Sequence, residues 1–256
     1  PYNRKINKTD QPMTNNNSNN YTSRDNSLIK RDIASTLEKR GKNLLTYKDL
    51  AGEIAKLESL ETYYIVKELG VDESIPILLN TTNEQFKTII DFDCWDKEFP
   101  CFAELDAWLA PFAQKGKATI AEAFMRLEEE LAILYLSDSL HIFERDDDNE
   151  PVLIENRPHM KTLDGYFVLQ PKKHVASREI DPFFIIEALY DYNVQVVSRF
   201  IFSARWESVD SMQEQAFQFR NARLADVGFV PKEQAYSVFA TPKSSPNSAN
   251  FISLDN

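Results

Sequence analysis

The densest run of side chains able to do chemistry is Asp91, Asp93 and Asp96, set around Cys94 and Trp95. Carboxylates alternating along so short a segment could hold Mg²⁺ through one or two oxygens, with water and a substrate phosphate completing the shell. The same aspartates follow the last apolar turn of an expected helix, where short polar side chains end one helix and cap the next. Capping is the preferred reading. A second cluster, Arg220, Arg223 and Asp226, has the spacing that places side chains on one helix face. Such an arginine pair could grip a carboxylate or a phosphate bidentately. The preferred expectation is instead an intramolecular ion pair with the acidic body, for example with the Asp91–Asp96 loop.

Other polar groups carry weaker signals. Lys172, Lys173 and His174 form the one basic knot in the body, read as a solvated loop ahead of an anion site. Asp146, Asp147 and Asp148 read as a solvated loop ahead of a cation site. His141, His159 and His174 are too far apart in sequence to make a helical ligand pair, although folding could still bring them together. Cys94 and Cys101 have no second cysteine pair or nearby histidine to suggest zinc, so buried, reduced thiols are expected. No Gly-x-Ser-x-Gly elbow, His-Glu-x-x-His helix or catalytic cysteine setting is present, and no cofactor is expected.

Composition narrows the classes further. Only 6 glycines occur in 256 residues, all scattered singly. Phosphate-cradling loops and dinucleotide fingerprints need clustered glycines for close backbone approach, so both are excluded. The net charge of −11 argues against a nucleic-acid partner, because that affinity rests on Lys and Arg neutralising phosphates. The charge is uneven: residues 1–30 carry Arg4, Lys5, Lys8, Arg24 and Lys30 against Asp10 and Asp25, a basic lead to an acidic body. No apolar run approaches the length of a membrane span and no signal peptide opens the chain, which points to the cytoplasm. The chain starts at Pro1 without a Met, consistent with a removed initiator or an upstream start.

The elements that must position these residues are mostly helices. Residues 1–26 are rich in Asn, Ser, Thr and Lys and read as a disordered tail, as do residues 241–256 apart from the apolar Phe251, Ile252 and Leu254. Between them, residues 27–240 read as one helical domain. Helices are expected from Ser27 to Gly41, from Thr46 through Leu57, from Ser59 to Gly70, and from a short start at Asp72. Thr82 with Gln85 makes a capping box before Phe86. Further amphipathic runs cover Phe102–Phe112, a longer helix from Thr119 fading at Glu144, a start at Pro182, a run from Asp191 to Trp206, Met212 to Val227, and a start at Pro231. Val152–Ile154 and Tyr166–Leu169 flank Asp164-Gly165 and predict one small β-hairpin. The expected fold is mainly α, an irregular array of short helices in a superhelical or orthogonal stack.

The stretch Tyr64-Ile65-Val66-Lys67-Glu68-Leu69-Gly70, then Glu84-Gln85-Phe86 and Asp91-Phe92-Asp93-Cys94-Trp95-Asp96-Lys97, resembles a family of uncharacterised bacterial proteins known only as a domain of unknown function. The resemblance continues at Thr162-Leu163-Asp164-Gly165-Tyr166 and Arg223-Leu224-Ala225-Asp226-Val227-Gly228-Phe229. It implies a helical fold and a bacterial cytosolic setting. It also implies that members run on beyond the Gly-Phe motif, so the chain is a short member or an N-terminal piece. It implies no activity, cofactor or catalytic residue. Together with the helical array, in which some of the plentiful aromatics should line grooves, it leads to the expectation of a non-catalytic protein-interaction or regulatory module with a protein partner. The alternative is a metal-dependent enzyme or small-anion binder using the Asp91–Asp96 loop with Arg220 and Arg223.

Overall fold

The structure, a computed structural model, describes residues 18–145 and 151–229, with side chains from Ser27 onward. Asp146 to Asp148, Pro231 and the Phe251, Ile252 and Leu254 cluster lie outside the described residues, as does most of both expected tails. The chain is mainly α-helical and divides into two compact units, Pro1–Phe86 and Lys87–Asn256, whose boundary falls inside residues 27–240.

In the first unit, helix α1 (Ser18–Leu44) begins inside the stretch whose composition reads as disorder, rather than at Ser27. Once a helix is nucleated each further residue adds a hydrogen bond, so even a polar segment can extend it backwards. The helix also runs through Gly41 instead of ending there. A Cβ at Gly41 would meet Leu69 Cδ1 at 2.5 Å and Ile65 Cγ2 at 2.9 Å, so this glycine allows the backbone of α1 to lie against α3 (Ser59–Leu69). Helix α3 does stop on a glycine, Gly70, whose φ of 81° favours a residue without a Cβ. Two short helices, α2 (Leu50–Ile54) and α4 (Val71–Leu79), complete a core of Ile54, Ile65, Val66, Ile77 and Leu78. The capping box heads α5 (Asn83–Asp93): Thr82 N donates to Gln85 Oε1 at 2.9 Å and Gln85 N to Thr82 Oγ1 at 3.3 Å. The Gln85 side chain then donates to Ile54 O and Leu57 O, at 2.7 and 2.9 Å, tying the start of α5 to the end of α2 and the turn that follows it.

The second unit takes in α5 from Lys87 onward and continues into a tight hairpin, β1 (Trp95–Asp96) and β2 (Phe99–Pro100), turned by Lys97 at φ 58°. Helices α6 (Phe102–Lys115) and α7 (Lys117–Phe124) follow, separated by Gly116 at φ 115°. The expected long helix from Thr119 to Glu144 is instead three elements: α7, α8 (Glu129–Ser139) and strand β3 (Leu140–Glu144). Extended backbone at Glu128 breaks the helix, and the aromatic and β-branched residues of Leu140-His141-Ile142-Phe143 suit a strand. Every residue from Leu131 to Leu136 is buried, so α8 is apolar around its circumference and packs against β3, α10 (Val194–Trp206) and α11 (Val209–Asp226). Helix α9 (Pro182–Tyr192) is capped by Asp181, with Pro182 in its first turn as expected.

The larger sheet is antiparallel with order β3-β5-β4, from β5 (Phe167–Pro171) at the centre and β4 (Met160–Lys161) at one edge. Strand β5 pairs with β3 from Leu140↔Pro171 to Glu144↔Phe167. Its expected hairpin partner, Val152–Ile154, forms no strand. Gln170 explains why that segment still lies nearby: its side chain accepts from Ile154 N at 2.8 Å and donates to Ile154 O at 3.1 Å. A side-chain amide thereby supplies the two bonds a neighbouring strand would have made.

Candidate functional site

Helix α5 delivers Asp91, and α11 delivers Arg220 and Arg223, to one point of the second unit. Asp91 is 2 % exposed and takes a two-point pair from Arg223, Nε to Oδ2 at 2.7 Å and Nη2 to Oδ1 at 2.8 Å. Arg223 Nη1 also lies 2.9 Å from Glu128 Oε1, which Lys87 Nζ meets at 2.7 Å. Arg220 donates from Nε to the Asp91 carbonyl at 2.7 Å, and its guanidinium lies 5.2 Å from the Trp95 ring centroid. Burial pushes the Asp91 carboxyl above its ordinary range, while Arg223 and Arg220 pull it back down. The α11–α5 pairing expected from sequence is therefore present, and it engages the Asp91 carboxylate with the Arg223 guanidinium.

The remaining sequence candidates do not join this point. Asp93 sits at the end of α5, Asp96 is exposed on β1, and Asp226 is exposed at the last position of α11. Among the described residues no group of three or more His, Cys, Asp or Glu is placed to hold a metal ion. Also among the described residues, no helix is long and apolar enough to cross a membrane.

A second buried polar centre was not anticipated. Asp106 of α6 is 1 % exposed and accepts from Arg178 Nε at 2.6 Å, Arg178 Nη2 at 3.0 Å and the Tyr135 hydroxyl at 2.6 Å. Arg178 also donates to Ser139 Oγ and Asp138 Oδ2, and its guanidinium lies 4.3 Å from the Tyr135 ring centroid. Asp138 in turn meets His174 Nε2 at 3.1 Å. Burial pushes the Tyr135 phenol well above its ordinary value, so it remains a donor to the carboxylate. A signal existed in the sequence: Asp106 stands alone among Leu105, Trp108 and Leu109, and a carboxylate on an apolar face needs a buried partner. Its partner lies 72 residues along the chain, beyond the reach of any spacing argument.

A candidate surface with exposed aromatic rings lies across β5 and α10. Tyr166, Phe202 and Trp206 are 68 %, 57 % and 50 % exposed and border a cleft of about 540 Å³ with Arg199, Glu144 and Asp164. Arg199, Phe202 and Trp206 fall on one face of α10, turned away from the buried Val197, Phe200 and Ile201. The Arg205 guanidinium lies 4.5 Å from the Trp206 ring centroid, and Arg199 is paired with Glu129 at 2.9 Å. Glu144 and Asp164 leave the cleft with an acidic edge. Exposed aromatics around a concavity suit association with another chain, since such rings carry much of the energy of protein contacts.

No curated protein and no solved structure matches the chain. A family model described as a family of unknown function (DUF6178) matches residues 23–249, which include α5, the hairpin, α8 and α11. On that match, and with the helical fold that the resemblance implied, the chain belongs to this family of unknown function.

Proposed function

We propose that the chain is a non-catalytic helical module of the bacterial cytoplasm that binds a protein partner, with the Tyr166, Phe202 and Trp206 cleft as its docking surface. The observation that carries the reading is the outward exposure of these rings around one concavity. Tyr and Trp anchors flanked by Arg are the residue types that dominate protein contacts. The acidic edge at Glu144 and Asp164 fits a partner segment with an apolar anchor followed by a basic residue. The competing reading, a metal-dependent enzyme or small-anion binder at Asp91, Asp93, Asp96, Arg220, Arg223 and Asp226, has less support, because Arg223 is paired with the Asp91 carboxylate and Arg220 donates to the Asp91 carbonyl.

The test is a comparative affinity isolation from the native cell with the wild-type chain and a Phe202→Ser/Trp206→Ser variant. A stoichiometric partner held by the wild type and lost from the variant, at unchanged melting temperature, supports the reading. Recovery of the same proteins in equal amounts with both overturns it.

A further inference from the structure

The end of β5 and the 3-10 turn that follows it (Lys173–Ser177) border a second cleft, also of about 540 Å³, on the second unit. Its walls are apolar and stiff, supplied by Pro158, Pro171, Pro182 and Val175. Its charged groups do not cancel. Arg178 is neutralised by Asp106, and the Asp181 carboxylate accepts from Phe183 N as the cap of α9. Arg157, Lys172 and Lys173 then face the two carboxylates of Glu179 and Asp181, which leaves the cleft with one positive charge in excess. Among the described residues, neither Arg157 nor Lys173 is paired with a carboxylate.

Two of these cations are held in position by the fold. Arg157 Nη1 donates to Pro171 O at 3.3 Å, and the Arg157 carbonyl accepts from the buried Gln170 side chain at 3.4 Å. Lys172 Nζ donates to Ser137 O at 2.7 Å and its backbone N to Ser139 O at 2.9 Å, leaving two ammonium protons for another acceptor. The nearby His141 imidazole is held below its ordinary value, by burial first and then by Lys172, Arg157 and His174. Cations are thus gathered here in a chain whose net charge is −11.

We infer that this cleft binds a small organic anion, its carboxylate or phosphate group held by Arg157, Lys172 and Lys173 and its apolar body seated against the prolines and Val175. The guanidinium fork of Arg157 matches either planar or tetrahedral oxyanions, and the two lysines add point charge. Prolines lose little freedom on contact, so the apolar wall is preorganised. The site is separate from the aromatic cleft and does not depend on the protein-partner reading.

Phenyl phosphate, benzoate and inorganic phosphate are suitable probes, titrated by amide chemical shift against the full chain at low salt. Saturable shifts around residues 157 and 172–181 with phenyl phosphate or benzoate are expected, and which of the two binds tighter identifies the headgroup. Inorganic phosphate, lacking the apolar body, should bind more weakly than phenyl phosphate. Arg157→Gln with Lys173→Gln should weaken binding about tenfold or more, the scale of losing charge-assisted hydrogen bonds. Glu179→Gln removes one of the two opposing carboxylates and should tighten binding several-fold, a gain that misfolding cannot mimic. Absence of saturable binding by both organic probes, or an affinity indifferent to both sets of substitutions, overturns the inference.

Discussion

Asp91 and Arg223 stand 132 residues apart in sequence and meet through two hydrogen bonds of 2.7 and 2.8 Å. This contact ties the last turn of α5 to α11 and sets the position of the α11 end, where Phe229 meets Phe92 edge-on at 4.9 Å between ring centroids. A buried carboxylate left without its cation costs far more than the pair itself contributes. Arg223→Met should therefore lower stability by about 3 kcal/mol at pH 7, the low end for a buried pair because the arginine is partly solvated.

The same substitution has a pH signature. Asp91 already has a raised folded-state value, and Arg223 is among the groups pulling it down. Without Arg223 it rises further. An acid whose folded value exceeds its unfolded value of about 3.9 stabilises the fold when protonated, and loses that contribution as pH climbs through the folded value. The stability deficit of Arg223→Met relative to wild type should accordingly be small near pH 4 and full by pH 7. Urea denaturation at the two pH values measures it, and equal deficits at both would contradict the role given to Asp91.

The Asp106, Tyr135 and Arg178 centre predicts a graded series. Tyr135→Phe removes one donor but leaves Asp106 its guanidinium, so the loss should be about 1 to 2 kcal/mol. Arg178→Met strands Asp106 and should cost about 3 to 5 kcal/mol. Because both partners share one carboxylate, the double variant should fall short of or exceed the sum by a measurable coupling. Additive losses in denaturant unfolding would show the three groups to be independent.

Local chemistry made much of this architecture legible. The Thr82 and Gln85 capping box, the stop of α3 at Gly70 and the proline in the first turn of α9 all involve residues within a few positions of one another. The pairing of Asp91 with Arg223 was legible only as complementary charge, with no reason to prefer one acceptor. Elements set by distant partners were misread. Leu140–Glu144 continues an apolar helical pattern and becomes a strand because β5 lies beside it. Val152–Ile154 has the composition of a strand, but the Gln170 side chain takes the bonds that pairing would have used.

Gly41 reads from sequence as a helix stop, whereas in the fold it lies inside α1 where that helix meets Leu69 and Ile65 of α3. Alanine there would gain up to about 1 kcal/mol of helix propensity. Its Cβ would also meet Leu69 and Ile65, both buried, at distances where something must move. Forcing a methyl group into such packing typically costs about 1 to 3 kcal/mol, which outweighs the gain. Gly41→Ala should lower the melting temperature, and pairing it with Leu69→Ala, which vacates the space, should recover part of its own effect. A higher melting temperature for Gly41→Ala alone would show the α1 and α3 contact to be looser than described.

The two cysteines should differ sharply in reactivity. Cys94 is buried at the end of the α5 turn, and burial, followed by the Asp93 and Glu104 carboxylates, pushes its thiol well above its ordinary value. The thiolate is the reactive form, so Cys94 is doubly protected, by lack of access and by lack of charge. Cys101 is partly exposed where the chain leaves the hairpin, its backbone N donating to Cys94 O at 2.7 Å. At pH 8 the folded chain should incorporate one iodoacetamide per molecule, on Cys101, and a second only in denaturant. In Cys101→Ser, labelling of the native protein should fall close to zero and proceed at the rate at which Cys94 becomes exposed by opening. Rapid native labelling of Cys94 would mean that the α5 end and its Arg223 contact open far more readily than a two-point buried pair allows.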